Sequence, residues 1–138
     1  MEVNKLYNGD ILDMFSKTPD NFIDLIVTSP PYNVGINYSD WDDTMSYDGF
    51  FQWVETWLKE CYRTLKPDGR IAINIPYETN FQERGGRVFF TADFYAVMKK
   101  VGFNFFGMVD LNEPASNRSK STAWGSWMSA SGPHVCNV

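Results

Sequence analysis

Asp24-Leu25-Ile26-Val27-Thr28-Ser29-Pro30-Pro31-Tyr32 is the stretch that decides how this chain is read. Residues 24–28 are a compact apolar run, the pattern of a buried strand. Ser29-Pro30-Pro31 ends it, because proline fixes φ and lacks the N–H that a helix interior or a central strand requires. Upstream, residues 6–8 are a short strand candidate that stops at Gly9, and Asp10 suits the N-cap of a short helix over 11–15. Downstream, residues 33–45 form a loop rich in Asn, Asp, Gly and Ser. Ser46 then caps a long helix, in which Phe50, Val54, Trp57, Leu58, Cys61 and Leu65 recur at spacings of three and four. Pro67-Asp68-Gly69 stops it. Residues 70–75 read as a second buried strand closed by Pro76, and residues 77–88 as a polar loop. Thr91 caps a third helix that runs to Lys99-Lys100, cations that favour a helix C-terminus. Residues 103–111, rich in aromatics, read as a third strand. Beyond Asn112 periodicity fades into loop over a site, with a last strand starting near Val135.

Alternating strands and helices predict an α/β fold whose sheet is mostly parallel, with helices on both faces. Ligands of such sheets bind beyond the carboxyl ends of the strands, which directs attention to Ser29-Pro30-Pro31-Tyr32. The length of 138 residues is that of one domain. Aromatics make up 17% of it, which serves core packing first and stacking surfaces second. Cys61 and Cys136 have neither metal-site spacing nor a disulfide framework, so a reducing, cytoplasmic setting is expected. No secretory leader is read at the N-terminus and no apolar run nears the roughly 20 residues of a membrane span, so no membrane is expected. His134 stands alone, and no metal is expected.

The net charge of −5 is unevenly spread: −8 over residues 1–60, +2 over 61–110 and +1 over 111–138. Arg84, Arg87, Arg118 and Lys120 make a thin basic footprint, whereas DNA affinity comes mainly from phosphate neutralisation. Either DNA is not the substrate, or the main DNA-gripping part lies outside this chain.

The turn itself has a definite chemistry. Two prolines remove two N–H donors, leaving carbonyls and the Ser29 hydroxyl as an acceptor-rich surface. An exocyclic base amine carries two N–H donors and a lone pair delocalised into its ring. Ser29 Oγ and the Pro30 carbonyl can hold both hydrogens, drawing the nitrogen toward tetrahedral geometry and freeing that lone pair, while Tyr32 stacks on the base. Pro-Pro-Tyr alone reads more readily as a structural turn; Thr-Ser-Pro-Pro-Tyr directly after Asp-Leu-Ile-Val reverses that and favours chemistry.

In these residues the sequence resembles the DNA amino-methyltransferases that modify cytosine N4 or adenine N6, in the permuted subgroup whose catalytic motif lies N-terminal. Thr28-Ser29-Pro30-Pro31-Tyr32-Asn33 is similar to their catalytic motif. Asn8-Gly9-Asp10 resembles their acidic turn, Arg63-Thr64-Leu65-Lys66-Pro67-Asp68-Gly69 the helix end before the next strand, and Thr122-Ala123-Trp124-Gly125-Ser126-Trp127 a loop of that subgroup. The resemblance covers residues 3–134. It implies part of a Rossmann-like methyltransferase sheet, S-adenosylmethionine as cofactor and double-stranded DNA as partner, with the target base flipped into a pocket. Ser29, Pro30, Pro31 and Tyr32 would be catalytic. Asp10 and Thr28 would meet the cofactor, and Asn33, Arg118, Trp124 and Ser126 the substrate. Ser29 leans the reading toward cytosine N4, with adenine N6 close behind. Asp10 also suits a helix cap, Trp124 and Ser126 also suit core packing, and Arg118 also suits a solvated loop.

The resemblance has gaps. The family's aromatic-x-Gly-x-Gly cofactor motif is missing, since Gly85-Gly86 follows a loop, and no target-recognition region is seen. Residues 1–138 are therefore expected to be a single, incomplete catalytic domain. The open edge of strand 24–28 would call for a complementing chain or a homodimer. The alternative reading is a module that binds nucleic acid or a partner without catalysis.

Overall fold

The computed structural model describes residues 4–38, 41–81 and 86–111. The chain divides into two compact units, Met1–Asn104 and Phe105–Val138, and every helix and strand described belongs to the first. Their order is α1 (Ile11–Ser16), β1 (Ile23–Thr28), α2 (Tyr47–Thr64), β2 (Leu65–Ile73), β3 (Thr79–Phe81), β4 (Gly86–Val88) and α3 (Phe90–Val101).

The α2 helix organises the core. Ser46 Oγ accepts the Gly49 N–H at 3.2 Å, with Asp48 in the first turn and Arg63 in the last, as the helix dipole favours. The expected stripe buries Phe50, Val54, Trp57, Leu58 and Cys61. Leu65 instead is the extended C-cap, because the chain passes directly into β2. Ten of the aromatics lie in this core or pack against it. Phe50 lies 5.6 Å from Phe90, Phe90 lies 5.9 Å from Phe94, and Phe94 lies 6.1 Å from Trp57, in the tilted arrangements that ring quadrupoles prefer.

Arg63 joins three elements. Its guanidinium donates to the Phe15 carbonyl at 2.8 Å and the Thr18 carbonyl at 3.0 Å, closing the end of α1, and pairs with Glu60 and Asp20. Those carboxylates, Glu60 first, hold its pKa above the ordinary arginine value. Arg63→Lys is expected to lower the thermal midpoint nearly as much as Arg63→Met, because a single ammonium cannot reach the same fork of acceptors.

Burial pushes the Cys61 thiol up to about 12, and the neighbouring Glu60 charge adds to it. The folded chain thus keeps this proton where the unfolded chain, near 9, releases it. Stability is expected to be unaffected by this group below that value and to fall as pH rises through it. Urea midpoints between pH 8 and 11 should show a steeper alkaline decline for the wild type than for Cys61→Ala.

β1 and β2 pair in parallel, with Leu25 opposite Arg70, Ile26 opposite Ile71, Val27 opposite Ala72 and Thr28 opposite Ile73. Between Ile23 and Leu25 the register shifts, because Lys66 to Gly69 bulge out of β2. Gly69 sits there so closely that an added Cβ would lie 3.1 Å from the Ile23 carbonyl and 3.0 Å from the Lys66 carbonyl. Ile26, Ile71 and Ile73 pack against the core. On the opposite face Leu25 is 58% and Val27 72% exposed. The expectation of a fully buried strand is therefore corrected: only one face of this parallel pair is covered.

Further expectations are corrected as well. Residues 6–8 form no strand. The second strand is Leu65–Ile73 rather than 70–75, since the Pro-Asp-Gly turn is a bulge within it. The polar loop over 77–88 contains the antiparallel pair β3–β4, with Phe81 buried in the core. Thr91 lies inside α3, whose N-cap is Phe89, and its hydroxyl donates to the Pro76 carbonyl at 3.1 Å. Residues 103–111 take no strand hydrogen-bonding pattern either: β-propensity is realised only beside a neighbouring strand.

Candidate active site

The site is built where β1 and β2 end together. One bond continues their ladder, from the Asn74 N–H to the Thr28 carbonyl at 2.9 Å. The chain then turns at Ser29 and the buried Pro30. Tyr32 reaches back across the strand ends. Its hydroxyl donates to the Asn74 carbonyl at 3.1 Å and lies 2.6 Å from Ser29 Oγ. Ser29 is exposed and Tyr32 half-buried, so the turn is open to an incoming group.

The following loop is folded around one carboxylate. Asp43, 2% exposed, accepts the Asn33 N–H at 2.9 Å through Oδ1 and the N–H groups of Val34 and Ile36, each at 3.0 Å, through Oδ2. Its carbonyl accepts the Gly35 N–H at 3.0 Å. Converging amides of this kind form a concave anion site, here filled by the chain's own side chain. The winding needs left-handed backbone at Asn33 (φ 57°) and Gly35 (φ 82°), conformations those two residues tolerate best. Asn33 is buried, and its amide exchanges two bonds with the Met45 backbone, at 2.7 and 2.8 Å. That amide, expected to meet the substrate, ties the loop to the start of α2.

The other expected residues are placed as follows. Thr28 ends β1. Asp10 is exposed and caps α1, its Oδ1 accepting the Leu12 N–H at 2.8 Å. Arg118, Trp124 and Ser126 lie outside the described residues. Asp43 and Asn74 were not foreseen. An acidic residue just before a helix cap, in a loop full of backbone donors, is a usable signal for Asp43. Asn74 acts through its backbone and leaves no signature in residue type. A groove of about 600 Å³, lined by Asn21, Phe22, Ile23, Asp24, Leu25 and Lys66, lies at the opposite end of β1 and is separate from this chemistry. Among the described residues no three His, Cys, Asp or Glu side chains gather as a metal site, and no helix is long and apolar enough to cross a membrane.

Comparison with known proteins identifies the family. The family model described as DNA methylase matches residues 23–137. Type II methyltransferase M.MjaVI of Methanocaldococcus jannaschii is 45% identical over 130 residues, covering 94% of this chain and 63% of that protein. Type II methyltransferase M.BamHI of Bacillus amyloliquefaciens is 42% identical over 77 residues, covering 54% of this chain and 18% of its own length. Among solved structures, a Thermus thermophilus protein described as a DNA modification methylase superposes with a TM-score of 0.53 at 26% identity, over 70% of this chain and 39% of that one. The chain thus spans under two thirds of the length of each of these relatives. Its match across residues 23–137, together with the M.MjaVI likeness, places the chain in the DNA methylase family, that of the DNA amino-methyltransferases.

Proposed function

We propose that the chain carries the catalytic turn of an S-adenosylmethionine-dependent DNA methyltransferase, acting on an exocyclic amine of a base flipped out of double-stranded DNA. The observation that carries the reading is the hydrogen-bonded Ser29–Tyr32 turn at the joint carboxyl end of β1 and β2. Ser29 Oγ and the Pro30 carbonyl hold the two amine hydrogens, so the nitrogen lone pair faces away from the turn. Tyr32 offers its ring to the base. No strong base is required, because the work is orientation and charge stabilisation.

Two residues are candidates for part of the cofactor's site, whose glycine motif the sequence lacks. Asp10 is an exposed carboxylate whose cap bond engages Oδ1, leaving Oδ2 as the atom that would meet it, and Thr28 stands at the strand end. When bound, S-adenosylmethionine supplies the electrophilic methyl group. Ser29 leans the target toward cytosine N4 ahead of adenine N6. The uncovered face bearing Leu25 and Val27 is the seat we assign to further polypeptide, a complementing chain or a second copy. The second reading is a module that binds nucleic acid or a partner without catalysis; the exposed apolar face favours its partner-binding form. The cysteine usage carries the reading of a reducing, cytoplasmic setting.

The test incubates the chain with labelled S-adenosylmethionine and duplex DNA, alone and with a chain equivalent to the remaining length of the relatives. Nucleoside analysis should show N4-methylcytosine. N6-methyladenine would move the target to adenine, and DNA binding with no transfer in either setting would favour the non-catalytic module. On the same material, Val27→Lys is expected to reduce association measured by sedimentation, because it charges the bare face.

A further inference from the structure

The hydrogens of the turn can be assigned by counting. Tyr32 has one hydroxyl hydrogen, and the Asn74 carbonyl, which can only accept, takes it at 3.1 Å. The 2.6 Å bond between Ser29 and Tyr32 must then be donated by Ser29. Ser29 has no second hydrogen to give. Its lone pairs are all it has left to offer a further partner, and Ser29 is an exposed residue.

We propose that the Tyr32 hydroxyl is a positioning group that locks the Ser29 hydroxyl rotor, making Ser29 a pure acceptor toward the substrate. This rests on the reading above, in which Ser29 holds the amine. A serine hydroxyl otherwise samples three staggered positions, and in some of them its hydrogen would point at the amine and repel it. With the rotor fixed, the turn accepts an N–H donor and turns away an exocyclic carbonyl, which also needs a hydrogen. The lock therefore selects amine-bearing bases over carbonyl-bearing ones. The chain of bonds ends in an amide carbonyl, which does not take up a proton, so Ser29 and Tyr32 orient the amine and do not carry its proton away.

Tyr32→Phe keeps the ring and removes the lock. Freeing a three-position rotor is expected to lower kcat by about 3- to 10-fold, with KM for DNA within about 2-fold. In the double variant Ser29→Ala/Tyr32→Phe the loss should equal that of Ser29→Ala alone, since the hydroxyl acts only through Ser29. Wild-type kcat in Tyr32→Phe, or losses that multiply in the double variant, would overturn the lock. A second measurement on the chain itself needs no turnover: the Asn74 carbonyl ¹³C resonance should move upfield in Tyr32→Phe and stay in place in Ser29→Ala. An unmoved resonance in Tyr32→Phe overturns the lock. Absence of methyl transfer by the wild type would count against the proposed function instead, while the resonance still decides the hydrogen bonding.

Discussion

Asp43→Ala is expected to lower the stability of the chain by about 3 kcal/mol, seen as a lower urea midpoint with little change in slope. The carboxylate takes three backbone N–H groups, and hydrogen bonds to a charged partner contribute about 1.5–3 kcal/mol each when considered singly. They do not add fully. Val34 and Ile36 are about half exposed, so water can replace the carboxylate at their amides, whereas the Asn33 amide is buried and cannot be rehydrated in place. Asp43→Asn should recover little. It keeps one acceptor oxygen but turns an NH₂ group into converging donors. Because Asn33 follows Tyr32 directly, the variant should also lose methyl transfer out of proportion to the fraction unfolded. Wild-type stability in Asp43→Ala would mean that the loop is held chiefly by the Asn33–Met45 exchange.

Ser29→Ala is expected to reduce kcat by about 10²- to 10³-fold, the usual effect of removing one preorganised polar group from a reacting centre. KM for DNA should change little, because the interaction strengthens as the nitrogen becomes tetrahedral and is weak in the ground state. Stability should stay within about 0.5 kcal/mol of wild type, since Ser29 is exposed. The contrast with Asp43→Ala is diagnostic: one variant fails in chemistry with its fold intact, the other in the fold that carries the chemistry. A Ser29→Ala enzyme with full kcat would remove Ser29 from the mechanism.

The sequence made some elements plain and hid others for identifiable reasons. The Phe50-to-Cys61 stripe and its Ser46 cap were legible because both are local, set by helix periodicity and one side-chain acceptor. The strand ending in Ser29-Pro30-Pro31 was legible from its apolar run and its prolines. The reading went astray where structure depends on distant partners. Residues 103–111 have strand composition but no strand pairing, and the short β3–β4 pair sits in a stretch that looked like polar loop. In the site, Ser29 and Tyr32 announce themselves by type. Asn33 was expected to meet the substrate; in the fold its backbone is left-handed and its amide bonds Met45, a pairing that residue type alone does not reveal. Asn74 could not be read at all, because only its backbone matters.

The bond from Tyr32 to the Asn74 carbonyl spans 42 positions of sequence, with the whole of α2 between its ends. Contacts this distant in sequence form late, since the chain must close a long crossover before they repay its ordering. A nascent chain that has emerged only as far as α2 therefore holds Ser29, both prolines and Tyr32, yet has nothing to anchor the tyrosine hydroxyl. The geometry of the Ser29–Tyr32 turn is a property acquired in time, at the moment the second strand docks beside the first.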